Sequence, residues 1–134
     1  MIEVDVLGGP LTSGAPAPGE VRRLCVLATA AFGIEDGHLA IEYVDSARIA
    51  ELNLEHRGHR GPTDVLSFPI DGLAAQGEAP RELGDVVICP EHTADLREAI
   101  VHGVLHLLGM DHETDDGEML MLQAQLLERT SSWS

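Results

Sequence analysis

Residues 101–114 have the sequence VHGVLHLLGMDHET, which sets three histidines, His102, His106 and His112, in an otherwise apolar run. A helix turns by about 100° per residue, so His106 lies one turn beyond His102 on the same helical face. Gly109 is a typical helix-ending residue, and the turn that it allows brings His112 back towards the pair. The spacing therefore predicts three imidazole ligands around one ion with a fourth position open, as in catalytic zinc sites. Zinc is the metal favoured by these ligands, although nickel and copper also fit them.

Gly103 limits the reactions that such a site can catalyse. In zinc peptidases of the HExxH type, a glutamate directly follows the first histidine and acts as the general base. Here the run is HGVLH, so peptide hydrolysis by that route lacks its base. Water activated by a metal ion is still a nucleophile near neutral pH, provided that another group stabilises the charge developing on the substrate.

The most basic stretch of the chain is HRGHRGPTDVLSFP, residues 56–69, in which Arg57, His59 and Arg60 lie close together. A guanidinium group binds phosphate through two parallel hydrogen bonds and stays charged at any working pH. One of these arginines, Arg57 or Arg60, is therefore a candidate to hold a phosphodiester opposite the metal, and a solvated loop with incidental charge is the alternative. Asp64 and Asp111 are candidates for proton transfer, and Asp111 also for accepting a ligand N–H. Each of the two aspartates equally fits a turn.

Composition and charge restrict the class of protein. The chain has 134 residues with 44% hydrophobic residues, which is enough for one domain with a real core. Its formal net charge is −15, and all eight of its cations are arginines, so general binding to nucleic acid is unfavourable unless basic groups are concentrated locally.

Cys25 and Cys89 lie in apolar surroundings and are predicted to be buried thiols. The N-terminus lacks the features of a signal peptide, and no segment approaches the roughly 18 apolar residues of a membrane span, so we expect a cytoplasmic protein.

Hydrophobic periodicity and capping residues predict an alternation of strands and helices. Strands are predicted at 2–7, at 38–45, at the apolar end of 56–69 and at 83–90. Helices are predicted at about 20–31, after a cap at Asp45 or Ser46, at about 91–108 behind Pro90, and after a capping box formed by Asp115 and Glu118 through about Arg129. Loops are predicted at 10–19 and 71–82.

Two of these motifs together resemble one known family. VHGVLHLLGMDH resembles the H-G-x-L-H-L-x-G-x-D-H signature of the YbeY family of endoribonucleases. The stretch from Asn53 to Pro69 resembles its second hallmark, an asparagine and an arginine ahead of PTDVLSFP, and residues 83–91, LGDVVICPE, resemble the strand that follows. The matches span roughly residues 53–129 in the order found in the family.

The resemblance implies one α+β domain over residues 1–134, a small mixed β-sheet packed by helices and akin to the zinc peptidases. It implies that His102, His106 and His112 bind one zinc ion together with water, and that Arg57 is the functional arginine, with His59 and Arg60 as further candidates for contacting RNA. The implied activity is metal-dependent, single-strand-preferring endoribonuclease cleavage in ribosomal RNA maturation, at the 3′ end of the small-subunit RNA, and in ribosome quality control. Partners would be the small ribosomal subunit and its assembly factors.

Two departures from the family pattern stand out. The segment between the ICPE-like strand and the histidine helix is shorter here, and His59 and Arg60 stand where many members have lysine and aspartate. The nucleophile is either metal-bound water or the ribose 2′-hydroxyl. A zinc amidase or peptidase with a non-standard base, and a non-catalytic metal-binding ribosome-assembly factor, are the alternative functions.

Overall fold

The computed structural model describes residues 1–8, 15–71, 81–111 and 113–133, and its four strands form one mixed sheet. The strands are β1 (Ile2–Leu7), β2 (Gly37–Tyr43), β3 (Val65–Pro69) and β4 (Arg81–Ile88), in the spatial order β1-β2-β4-β3. β2 runs parallel to β1 and β4, and β3 runs antiparallel to β4. β2 and β4 are buried along most of their length, as central strands covered on both faces are.

Helices cover both faces of this sheet. They are α1 (Pro18–Ala30), α2 (Ser46–Arg57), α3 (Leu96–Leu107) and α4 (Glu118–Arg129). Successive residues of a strand point to opposite faces. Val86 of β4 accordingly belongs to the main core with residues of α1, α3 and α4, whereas Val87 packs with Ile49 of α2 in a second cluster. The predicted α+β architecture, a mixed sheet packed by helices, is confirmed.

Helix α3 lies directly against β4 at Gly103. A Cβ atom at this position would be 2.3 Å from Cγ1 of Val86, so only glycine fits without movement of the sheet or the helix. Beside this contact, the Ser67 hydroxyl of β3 donates a hydrogen bond of 2.9 Å to the Gly103 carbonyl oxygen. The glycine that removes the peptidase base is therefore also the residue that lets the histidine helix approach the sheet.

The sequence placed the start of the histidine helix too early. Pro90 opens only one 3₁₀ turn, Pro90–His92, and α3 begins at Leu96 rather than at Glu91. Asp95 is the reason, because its carboxylate accepts the N–H of Glu98 at 3.2 Å and so caps the helix there. The shortened segment ahead of the histidine helix thus consists of this turn and three linking residues.

The last helix is capped by the predicted acids but with different partners. α4 begins at Glu118, and the carboxylate of Asp115 accepts the N–H groups of Gly117 at 2.8 Å and Met119 at 2.9 Å. Glu118 accepts the N–H of Asp116 at 2.7 Å rather than that of Asp115. The predicted capping box is therefore wrong in its hydrogen-bond partners, although the carboxylates of Asp115 and Glu118 do accept free N–H groups at the start of the helix.

The other boundaries agree with the sequence to within a few residues. Strand β1 matches its prediction, and Asp45 caps α2 by accepting the N–H of Arg48 at 2.8 Å. The loop predicted over 10–19 ends early, because α1 starts at Pro18, and its residues 10–14 lie outside the described residues. Residues 72–80 of the loop predicted over 71–82 also lie outside them, and residues 81–82 belong to β4.

Both cysteines are buried free thiols, as predicted, and burial raises the pKa of the Cys25 thiol to about 12. Neither is therefore a reactive thiolate at neutral pH. Within the described ranges, every helix is too short or too polar to cross a bilayer.

A polar bridge crosses three strands on the sheet. The ring of His38 in β2 contacts Asp5 of β1 through Nε2 at 2.8 Å and Glu82 of β4 through Nδ1 at 2.7 Å. The hydrogen bond to the Asp5 carboxylate, with a further contribution from Glu82, raises the pKa of His38 above its ordinary value. The bridge joins β1 to β4 across β2 and is partly exposed to solvent.

Candidate metal centre and substrate cleft

The two helical histidines face each other. The Nε2 atoms of His102 and His106 are 3.1 Å apart, and the ring planes meet at 76°. Two nitrogens on one tetrahedral zinc ion, with bonds of 2.0–2.1 Å, would be separated by about 3.3 Å. The pair is therefore already close to the spacing that a shared ion requires, as the four-residue interval predicts.

Gln123 of α4 contacts the ring of His102 on the side away from His106. Its Oε1 atom lies 2.8 Å from Nδ1 of His102. An amide oxygen only accepts hydrogen bonds, so Nδ1 is the donor, and the lone pair of the neutral ring is on Nε2, towards His106. This is the tautomer that a metal ligand needs. Sequence reasoning missed Gln123. The helical spacing of Met119, Gln123 and Leu126 marks a polar residue on an apolar face of α4, but it does not indicate the partner of that residue.

The chain turns after α3 as predicted. Gly109 has a left-handed φ of 95°, and the N–H of Met110 reaches back to the carbonyl oxygen of Leu105 at 3.1 Å. His112 lies outside the described residues, so its part in a three-ligand set stays a prediction. Among the described residues, no cluster of three potential ligands is present.

One cavity of about 650 Å³ unites most of the predicted site. It brings together residues from α2, β3, α3 and the segments around α4, namely His56, Arg57, Asp64, Val65, Leu66, Ser67, Pro69, His102, His106, Asp111, Glu113 and Leu120. Arg57, Asp64 and Asp111 thus share a cleft with the histidine pair. His59 and Arg60 are exposed and are not among the described residues that line it.

Arg57 is the last residue of α2, and the loop that follows it is anchored by Asn53. Gly58 ends the helix in the left-handed conformation, with φ 71°. The side chain of Asn53 is buried and donates through Nδ2 to the carbonyl oxygen of Gly61 at 2.9 Å. Asn53 therefore fixes the path of the basic loop, which accounts for an asparagine one helical turn before Arg57. His56, beside the arginine, packs on Phe68 with ring centroids 4.3 Å apart.

The two candidate proton-transfer residues also make turn contacts. Asp64 accepts the N–H of Val65 at 2.8 Å, and Asp111 accepts the N–H of Glu113 at 2.9 Å. These are the local bonds that aspartate forms in turns. Because both residues also line the cavity, a role in proton transfer stays a prediction for each of them. Glu113 is a third carboxylate in the cleft and was not singled out from the sequence.

The cleft is not a basic surface. Among its described lining residues, Asp64, Asp111 and Glu113 oppose the single arginine Arg57. A phosphodiester that enters it meets one guanidinium and the histidine pair, surrounded by negative charge. Attraction for a polyanion is therefore confined to the immediate neighbourhood of Arg57 and of any cation held by the histidines.

Comparison with known proteins gives a consistent result. The family model described as Endoribonuclease YbeY matches residues 20–131. A relative from Nocardia farcinica is 40% identical over 87% of this chain and 75% of its own length, and one from Salinispora tropica is 44% identical over 71% and 73%. A third, from Rhodococcus opacus, is 42% identical over 67% of this chain and only 61% of its own length. All three are named Endoribonuclease YbeY.

A solved structure shares the fold. The solution structure of TM1509 from Thermotoga maritima superposes with a TM-score of 0.59 over 97% of this chain and 91% of that one, at 26% identity. Nearly the whole chain is therefore accounted for by a known arrangement of strands and helices.

Proposed function

The chain belongs to the endoribonuclease YbeY family, and on that premise we propose that it is a metal-dependent endoribonuclease that cleaves single-stranded RNA. The observation that carries the proposal is the shared cavity of Arg57 and the His102–His106 pair. A phosphate clamp and a candidate cation site in one cleft are what phosphodiester cleavage requires.

In the proposed mechanism, His102, His106 and His112 hold the ion, which when bound supplies Lewis acidity at the scissile phosphate. Arg57 pairs with non-bridging phosphate oxygens and stabilises the charge that grows on them. Asp64 and Asp111 are the proposed proton acceptors, since both line the cleft and each is oriented by a backbone N–H. The attacking group is a water molecule or the ribose 2′-hydroxyl, and the product ends distinguish the two, because only the second gives a 2′,3′-cyclic phosphate.

The close contact between Gly103 and Val86 counts against the peptidase alternative. A glutamate in place of Gly103 would direct its side chain into β4 rather than into the cleft. The general base of the HExxH peptidases therefore has no room at its usual position in this protein.

Ribosomal RNA is the proposed substrate, with cleavage at the 3′ end of the small-subunit RNA and a part in ribosome quality control. The sequence resemblance supports this assignment. The net charge of −15 supports delivery to the RNA by a protein partner, for which we propose the small ribosomal subunit and its assembly factors, in the cytoplasm.

The test compares the wild-type protein with His106→Ala and Arg57→Ala on a labelled single-stranded RNA, with a duplex RNA and a peptide mixture alongside. Arg48→Ala is the matched control, because Arg48 lies on the same helix, is exposed and pairs with Glu51. We expect cleavage of the single strand alone, its loss on chelation and in His106→Ala, and a fall of about 100- to 1,000-fold in kcat for Arg57→Ala. Arg48→Ala should cleave at the wild-type rate.

Cleavage that persists in a folded His106→Ala protein would identify a contaminating nuclease and refute the proposal. Binding of zinc without any cleavage of RNA, with ribosome assembly unaffected by Arg57→Ala, would favour the non-catalytic assembly factor.

A further inference from the structure

We propose that Gln123 is a positioning residue, which keeps the proton of His102 on Nδ1 so that Nε2 is available to the metal ion. The inference rests on the metal site of the proposed function but concerns a residue of a different helix, 21 positions further along the chain. Its consequences are measurable without RNA.

The hydrogen bond between Gln123 and His102 has a defined direction. With Oε1 of Gln123 accepting from Nδ1 at 2.8 Å, Nε2 of the neutral His102 ring carries a lone pair and no proton. The Nε2 atom of His106 lies 3.1 Å from that of His102, close to the separation of two nitrogens bound to one ion. The contact with Gln123 thus leaves the lone pair of His102 on the side of the ring where the ion would bind.

Gln123 lies where an apolar side chain would be expected. It is only 8% exposed and lies on the buried face of α4, between Met119 and Leu126, which are 0% and 2% exposed. Burying an amide is unfavourable unless its polar atoms are hydrogen-bonded, so an apolar side chain of similar size would suit this face better on packing grounds alone. The amide is explained by its contact with the ring of His102.

Helix α4 fixes the position of the Gln123 amide. Asp115 anchors the first turn of the helix through the N–H groups of Gly117 and Met119, and Met119 and Leu126 fix its buried face in the main core. Gln123 is therefore presented to His102 by a docked helix. Outer hydrogen-bond partners of this kind change metal affinity by about 10- to 100-fold when they are removed.

The experiment uses the full chain with Gln123→Met, Gln123→Glu and a matched control, Gln125→Met. Gln125 is an exposed glutamine on the same helix, so its substitution tests for general effects on α4. Two quantities are measured: the affinity for Zn²⁺, by competition with a chromophoric chelator, and the tautomer of His102 in the metal-free protein, by ¹⁵N NMR at about pH 8. The ring ¹⁵N resonances of His102 are assigned as those that disappear in the His102→Gln protein.

We expect wild type, Gln125→Met and Gln123→Glu to keep the proton on Nδ1, because a carboxylate also accepts the hydrogen bond. Gln123→Met should move population to the Nε2–H tautomer and weaken Zn²⁺ binding by about 10- to 100-fold, with circular dichroism unchanged. Gln123→Glu should remain within a few-fold of wild type.

Two results would overturn the inference. One is an Nε2–H tautomer in the wild-type protein, which would mean that the amide nitrogen faces the ring. The other is Gln123→Met with the tautomer and the affinity of wild type. A wild-type protein that has the Nδ1–H tautomer but binds no Zn²⁺ would refute the proposed metal site and would overturn the role of Gln123 toward a metal with it. A protein that binds Zn²⁺ through this arrangement but leaves RNA intact would refute only the nuclease function.

Discussion

At the scale of single residues, Gly103 has two consequences that the sequence alone could not separate. Its missing side chain removes the peptidase base, which is visible in HGVLH. Its second consequence, the approach of α3 to Val86, depends on a strand that lies elsewhere in the chain and so has no local signature. The same limit explains why Gln123 was missed, since no spacing rule links it to His102.

Gly103→Ala is expected to destabilise the fold. The added methyl group overlaps Val86, and overpacking of a core costs about 1–3 kcal/mol, against a gain of about 1 kcal/mol from the better helix propensity of alanine. Urea denaturation followed by circular dichroism measures the difference. Gly19→Ala in α1 is the control, because a Cβ at Gly19 meets no atom within 4 Å and should leave stability equal or slightly higher.

A second substitution tests the cause. Val86→Ala makes room for the new methyl group, so the cost of Gly103→Ala should shrink in that background, which is a coupling measurable by a double-mutant cycle. Equal costs in both backgrounds would show that the contact with Val86 is not the source of the destabilisation.

At the scale of helices and strands, the sequence predicted nearly every element but not where some of them begin. The sequence predicted the histidine helix to start directly behind Pro90, but it starts after Asp95, whose carboxylate accepts the N–H of Glu98. The Thr93 hydroxyl instead donates to the Cys89 carbonyl oxygen in the turn before the helix. The pair His102–His106 was predictable because it depends only on helical geometry. The selection of Arg57 from the basic loop rested on the family resemblance alone, because the packing of α2 and β3 that brings it into the cleft has no local signal in the sequence.

The bridge of His38 to β1 and β4 should make stability depend on pH. Because the pKa of His38 is higher in the folded chain than its ordinary value of 6.5, protonation favours the folded state. The stabilisation is therefore complete below about pH 6.5 and is lost as the pH rises through the raised folded-state pKa. Since all three side chains are partly exposed, we expect a contribution of at most about 1 kcal/mol.

The measurement is the free energy of unfolding of wild type and His38→Gln from about pH 5.5 to about pH 9. The difference between the two proteins should be largest at the acidic end and should shrink towards the alkaline end. Asp5→Asn should remove most of the effect, because Asp5 is the largest cause of the raised pKa. A difference that is constant across the range would rule out the ion pairs as its source.

At the scale of the whole molecule, a net charge of −15 and a cleft with three carboxylates should give an unusual dependence on salt. When a protein binds RNA through many basic groups, counterions are released from the RNA, and this release becomes less favourable as the salt concentration rises. Such proteins therefore lose affinity steeply with added salt. In the proposed function, Arg57 and the proposed cation attract the strand inside the cleft, whereas the net negative charge of the chain opposes its approach. We expect kcat/KM on a single-stranded oligonucleotide to change little, or to rise, between about 50 mM and about 200 mM salt.

Steady-state cleavage rates across a potassium chloride series measure this dependence, with the Arg48→Ala protein as a reference that differs by one positive charge outside the cleft. A fall of 100-fold or more over this range would show that several basic contacts bind the strand, contrary to the arrangement described above.

The order β1-β2-β4-β3 also determines which strands could pair with the sheet of another molecule. Among the described strands, β1 and β3 are the two edges, and unpaired edges are where sheets of separate molecules join and aggregate. Strand β1 carries the exposed Glu3 and Asp5, and β3 is only five residues long and ends at Pro69, which lacks an N–H group. Acid would neutralise the carboxylates of β1 and with them most of the charge that keeps molecules apart. We therefore expect β1 to be the strand through which the protein first aggregates when it is acidified.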